Sequence, residues 1–152
     1  KFVCLVRRDH PTVKDTMTVE QYAALPHVLI SPMGRGATWV DPVLERLGMR
    51  RHIALRVPHF LVAPMIVAQT DMVLTVAERV ARAVGAGLPV RELPPPLPIP
   101  GFTVSMYWHV QRSEDPGHRW LRELVAQVAS DLVQLPSLKR PKAQKPKARR
   151  KP

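Results

Sequence analysis

The chain has a single cysteine, Cys4, so no disulfide can form within it, which fits a reducing, cytosolic setting. It has no uninterrupted apolar run near the ~18 residues that a membrane span needs. The apolar part of KFVCLVRRDHP at the start is too short for a signal peptide. An initiator methionine is also missing, and the chain reads as a stretch of something longer. The patterns HExxH, GxSxG and CxxC do not occur, and the histidines (His10, His27, His52, His59, His109, His118) show no close metal-ligand spacing. His59 with Asp71 can be drawn as a base and its orienter, but two such residues arise by chance in many α/β domains. No metal, cofactor or enzyme chemistry is expected, and no internal repeat is present.

Acid is missing from one place in particular. Residues 136–152 hold eight Lys or Arg and no Asp or Glu, while residues 1–135 carry a net charge of only +3 out of the total +11. The body is therefore not a basic protein. The tail, with almost no apolar content after Leu138, reads as a disordered extension. Lys139, Arg140, Lys142, Lys145, Lys147, Arg149, Arg150 and Lys151 are candidates for non-specific phosphate contact through charge alone, alongside the blander reading of a solvated extension.

Proline is what the chain has in excess. Five of its seventeen prolines fall between Pro94 and Pro100 and four more in the last seventeen residues, which marks a crossover and the tail. Around these breaks, strand and helix patterns alternate. Phe2 to Val6 is a strand ended by the His10-Pro11 break, where His10 is expected to stabilise a turn. Thr18 and Gln21 form a capping box for a short helix that Pro26 stops. His27 to Ile30 is a buried strand running into SPMGRGAT (Ser31 to Thr38), a glycine-rich loop that leads into a helix from Trp39 to Leu47. That loop lacks the Gly-Lys-Ser/Thr ending of a phosphate-binding P-loop. It nevertheless brings hydroxyls and backbone N–H groups to the carboxyl end of a strand and the start of a helix, where α/β folds bind ligands.

Gly48 caps the helix. A strand from His52 to Val57 follows, then the Pro58-His59-Phe60 turn, an apolar segment from Leu61 to Gln69, and the Thr70-Asp71 turn. Next come a strand from Met72 to Val76 and a helix from Ala77 to Val84, ended by Gly85 and Gly87. Val90 to Leu93 opens the crossover. From Phe102 to Val110 apolar and polar residues alternate as in a strand with one apolar face. Asp115 and Pro116 then start an amphipathic helix with a stripe of Trp120, Leu121, Leu124, Val125, Val128 and Leu132.

The run MYWHVQRSEDPGHRWLREL and, preceding it at 57–81, VPHFLVAPMIVAQTDMVLTVAERVA resemble, in the right order within residues 1–133, the C-terminal effector-binding domain of LysR-type transcriptional regulators, in the branch with nodulation and aromatic-degradation regulators. The alternation of strands and helices gives an α/β fold with a parallel-type sheet covered on both faces, and the resemblance implies that it is the second lobe of a type II periplasmic-binding-protein-like domain plus a returning C-terminal helix. A helix-turn-helix and a first lobe are not represented. The expected organisation is an effector-binding lobe over 1–112, the returning helix over 113–135 and the basic tail over 136–152. The implied function is sensing a small aromatic or carboxylated inducer in an inter-lobe cleft to control transcription in the cytoplasm, with homo-oligomers and with DNA contacted through the helix-turn-helix or non-specifically by the tail. The candidate effector contacts are Ser31, Thr38, Pro58, His59, Phe60 and Thr70, of which 57–60 border the cleft by resemblance. The alternatives left open are a truncated product without activity and a solute-binding protein of the same fold, which would need an export signal.

Overall fold

A run such as FVCLVR, apolar until its last residue, suits a strand covered on both faces. In the computed structural model, which describes residues 1–34 and 38–134 with side chains through residue 131, it forms β1 (Phe2–Arg7) with a buried interior. β1 lies inside a five-stranded sheet with β2 (Pro26–Ile30), β3 (His52–Val57), β4 (Val73–Ala77) and β5 (Val90–Leu93), in the order β3-β2-β4-β1-β5. The basic tail lies outside the described residues.

The expectation of a parallel-type sheet needs correcting. β2 is parallel to both β3 and β4, but β1 is antiparallel to β4 and to β5. Strand and helix alternation encodes order along the chain and not direction, and β1 is inserted between β4 and β5. Val90 to Leu93 is likewise a full strand, paired with β1 from Cys4↔Leu93 to Arg7↔Val90, and not the start of an unpaired crossover. The helices are α1 (Val19–Ala24), α2 (Asp41–Arg46), α3 (Val62–Val67) and α4 (Glu78–Gly85). Successive residues of β1 point to opposite faces. Cys4 and Val6 accordingly join Tyr22 of α1 and Leu44 of α2 in one core layer, while Val3 and Leu5 join Ala63 and Val67 of α3 and Ala81 of α4 in the other.

Local sequence explains the element ends. Thr18 Oγ1 accepts from Gln21 N at 3.2 Å while Gln21 Oε1 accepts from Thr18 N at 3.0 Å, a reciprocal capping box that opens α1. After α2, Gly48 adopts φ +70°, and the N–H groups of Gly48 and Met49 donate to the carbonyls of Glu45 and Leu44. His10 stabilises its turn: Nδ1 accepts from Thr12 N and Val13 N, leaving Nε2 to donate to the Asp71 carbonyl at 3.1 Å.

Compact packing divides the chain between Thr103 and Val104. In the second unit the expected strand over 102–110 does not form: residues 101–109 have no strand or helix assignment, and Val110–Arg112 makes a short 3-10 turn. Alternation shows that a segment suits one buried face, but a strand also needs a ladder partner, and this segment pairs with none of the described strands. Tyr107 is 89% exposed. The segment is tied instead to helix α5 (Pro116–Gln134): the Arg122 guanidinium stacks over Trp108 at 4.6 Å and donates to the carbonyls of Arg112 and Ser113. Asp115 Oδ1 caps α5 by accepting from His118 N at 2.9 Å. Among the described residues no helix is long and apolar enough to cross a membrane.

The apolar stripe of α5 is open, with Trp120 63% exposed and Leu121, Leu124, Val125 and Val128 between 40% and 49%. Covering a large side chain contributes ~1.5–3 kcal/mol. The chain on its own is expected to self-associate in sedimentation velocity. Exchanging Leu121, Leu124 and Val128 together for Asp should leave a monomer with the sheet intact, and a wild-type chain that stays monomeric at high concentration contradicts this.

A second expectation comes from His27, fully buried on β2. Its Nε2 donates to the Tyr22 carbonyl at 2.8 Å and its ring meets the Tyr22 ring edge-on at 4.6 Å. Burial pushes the imidazole down to about 4, opposed by the Tyr22 carbonyl and reinforced by the nearby Arg51 guanidinium. Below its unfolded value near 6.5 the unfolded chain takes a proton that the folded chain refuses, so stability falls as pH drops from about 6.5 to about 4. The full loss is about 3 kcal/mol. Urea midpoints measured across that window should decline for the wild type and stay nearly level for His27→Gln; equal slopes would rule out His27 as the cause.

Candidate functional site

β2 and β4 run side by side, and their carboxyl ends open into a cavity of about 500 Å³. Leu29 and Ile30 of β2, Thr75 to Ala77 of β4 and Phe2 of β1 form its base. Its sides come from Ser31 to Met33, from Thr38 to Val40 before α2, and from Phe60, Phe102 and Thr103. The Phe102 ring packs on Phe2 with centroids 5.6 Å apart, which places a residue expected on a strand face at the cavity instead. Trp39 is 52% exposed and Phe60 47%, so the cavity has an aromatic rim open to solvent.

The polar part of the lining is held by buried groups. Arg51, immediately before β3, reaches the cavity with only 2% of its side chain exposed. Its Nε donates to Asp41 Oδ1 at 2.7 Å, Nη2 to Thr38 Oγ1 at 3.0 Å and Nη1 to His27 Nδ1 at 3.5 Å. Burial acts to raise the Asp41 carboxyl, but the hydrogen bonds from Arg51 and Thr38 outweigh it and hold the group below its usual range. Thr38 Oγ1 donates to Asp41 Oδ2 at 2.5 Å and accepts from both Asp41 N and Arg51 Nη2, so its one proton and two lone pairs are all engaged. At the base, Tyr22 Oη and Thr75 Oγ1 lie 2.6 Å apart, and Cys4 Sγ is 3.6 Å from the same Thr75 oxygen. Burial pushes the Tyr22 phenol up to about 12 and the Cys4 thiol up to about 11, with Arg51 acting in the opposite direction on both. Both groups therefore stay neutral and Cys4 is a poor nucleophile.

Of the six residues that sequence singles out, Ser31, Thr38 and Phe60 line this cavity and Pro58, His59 and Thr70 do not. The Ser31 N–H donates to the Val57 carbonyl at 2.8 Å, tying the end of β2 to the end of β3. Pro58 and His59 are exposed in the turn beyond β3. The Thr70 hydroxyl donates to the Ile66 carbonyl at 2.9 Å and accepts from Met72 N, closing the end of α3. Asp71, drawn in sequence as an orienter for His59, accepts from Arg7 Nε at 2.6 Å. Sequence reasoning missed Phe2, Trp39, Arg51, Thr75 and Phe102. Their separation along the chain carries no local signal, and Arg51 stands beside Arg50 like an ordinary surface charge. Among the described residues no cluster of three or more His, Cys, Asp or Glu is placed to hold a metal ion. Among the described residues the site offers an apolar, aromatic-rimmed slot with a few fixed polar groups.

The family described as LysR substrate binding domain matches residues 1–130. The chain is 34% identical over 131 residues to the HTH-type transcriptional activator NagR of a Ralstonia species, covering 86% of this chain and 44% of that protein. It is 38% identical over 130 residues to the HTH-type transcriptional regulator SyrM of Rhizobium meliloti, covering 85% and 40%. The chain thus spans less than half the length of these relatives. Among solved structures, the regulatory domain of MexT, a transcriptional activator in Pseudomonas aeruginosa, superposes with a TM-score of 0.70 at 34% identity, covering 84% of this chain and 60% of that one. With an α/β lobe and a family match over residues 1–130, the chain belongs to the LysR-type transcriptional regulators, a family of regulators and not of enzymes, as a substrate-binding domain.

Proposed function

We propose that this chain is the effector-sensing part of a cytoplasmic LysR-type regulator and that it takes a small aromatic or carboxylated inducer into the cavity over β2 and β4. The observation that carries this reading is the lining itself: Phe2, Trp39, Phe60 and Phe102 surround a slot of about 500 Å³ whose polar groups are few and fixed. Ligand pockets have this size and this mix of apolar walls with a small number of placed polar atoms. Aromatic walls favour a flat ring, and among the described lining residues the one that carries charge is Arg51, whose guanidinium has N–H groups beyond its three bonds to Asp41, Thr38 and His27, so an acid is favoured over an amine.

Occupancy acts by population shift. A ligand moves a lobe equilibrium only by the difference between its affinities for the two states. With Trp39 and Phe60 half exposed at the rim, the ring contacts made here are one wall, and a facing lobe adds contacts available only on closure. In the assembled regulator that difference is passed to the oligomer on DNA.

Titrating the ¹⁵N-labelled chain with salicylate tests the reading. Weak, saturable shifts with Kd on the order of millimolar are expected at Ser31, Trp39, Phe60 and Thr75, with little change at His59 or Thr70. Trp39→Ala should weaken binding about tenfold, about 1.4 kcal/mol. Absence of any saturable response to salicylate or benzoate, or shifts centred away from the cavity, would overturn it.

A further inference from the structure

Taking the cavity as the effector site, as proposed above, we infer that Arg51 is its positioning residue, acting through Thr38 and Asp41 to fix the Trp39 wall against the base of the slot. Thr38 lines the cavity, yet its hydroxyl donates to Asp41 Oδ2 and accepts from Asp41 N and Arg51 Nη2. No proton or lone pair of that hydroxyl is left for a ligand. Thr38 therefore offers the ligand its apolar surface, and its hydroxyl serves the protein.

The clip holds the point at which the chain enters α2. Trp39 and Val40, the next two residues, are both in the lining, so the placement of the indole depends on where Thr38 is held. Asp41 closes the clip from the far side and lies outside the cavity lining, with its carboxylate held ionised by Arg51 and Thr38. The same guanidinium donates to His27 on β2, and its charge acts on Tyr22, whose hydroxyl is 2.6 Å from the cavity residue Thr75. Wall and base are thus referenced to one buried group. The neighbouring α2 has no side-chain cap on its assigned N-cap residue, Val40, and Thr38 supplies the bond to Asp41 N instead. Loss of the clip frees Thr38 and the start of the helix together.

Three substitutions in the full chain separate this role from direct contact. Thr38→Val keeps the shape and apolar surface of Thr38 but removes the hydroxyl, Thr38→Ser keeps the hydroxyl, and Asp41→Asn alters a residue outside the cavity lining. Salicylate Kd should rise about tenfold in Thr38→Val and in Asp41→Asn and stay within about twofold of wild type in Thr38→Ser. If the Thr38 hydroxyl met the ligand directly, Asp41→Asn would leave Kd unchanged or lower it, and the inference falls. It falls also if Thr38→Val and Asp41→Asn lower the melting temperature with Kd unchanged, which is the signature of a structural role alone. The ligand-free protein gives an independent reading: the Trp39 indole N–H resonance should move and the Asp41 amide should exchange faster in Thr38→Val than in Thr38→Ser. A wild type that binds no aromatic acid removes the effector assignment, and the clip is then decided by those two ligand-free signals alone, with unchanged signals refuting it.

Discussion

A guanidinium with 2% of its side chain exposed must find acceptors inside the fold, because an unpaired buried charge costs several kcal/mol. Arg51 meets that demand with a carboxylate, a hydroxyl and an imidazole nitrogen taken from α2, from the loop before it and from β2. The stretch 38–41, β2 and the chain entering β3, which are not adjacent in sequence, are fixed relative to one another by this single requirement. Removing Asp41 would leave the buried Arg51 guanidinium without its carboxylate, so the pair is better understood as a constraint on geometry than as a source of stability. The consequence for function is that the slot above β2 and β4 is preformed at its polar end and open at its aromatic end.

The remaining polar atoms of this core layer follow from the same constraint. His27 stays neutral because burial and the neighbouring guanidinium both oppose a second positive charge there. Tyr22 and Cys4 stay protonated for the corresponding reason, that burial opposes a negative charge. The network can therefore carry hydrogen bonds to the cavity base without carrying net charge beyond the Arg51–Asp41 pair. On the opposite sheet face Leu5, Leu74 and Val28 join Ala63 and Val67 of α3 in an apolar layer that serves as packing.

How much of this was legible beforehand depended on whether a feature is local. The Thr18–Gln21 box, the Gly48 cap and the Asp115 cap were readable because each is a contact within a few residues. Strand direction and the pairing of Val90 to Leu93 were not, since both depend on where β1 is inserted. The alternation from Phe102 to Val110 misled because it reports what a segment could bury and not whether a partner strand exists. At the site, the glycine-rich loop pointed to Ser31 and Thr38, and family resemblance pointed to Phe60, all three of which line the cavity. Arg51, Thr75, Trp39 and Phe2 required the fold, because long-range packing alone brings them together. Thr38 shows a subtler limit: a hydroxyl in a binding loop reads as a ligand contact until its own bonds are counted.

The central claim is that the Arg51 guanidinium is locked in a buried clip and organises the cavity from there, and its side-chain N–H reports on this directly. In a ¹⁵N-labelled sample, the Arg51 Nε–H should give a resolved resonance that exchanges with water far more slowly than those of the exposed arginines, and should collapse to ordinary exchange in Asp41→Asn. An Arg51 Nε–H that exchanges as fast as an exposed side chain in the wild type would contradict the account.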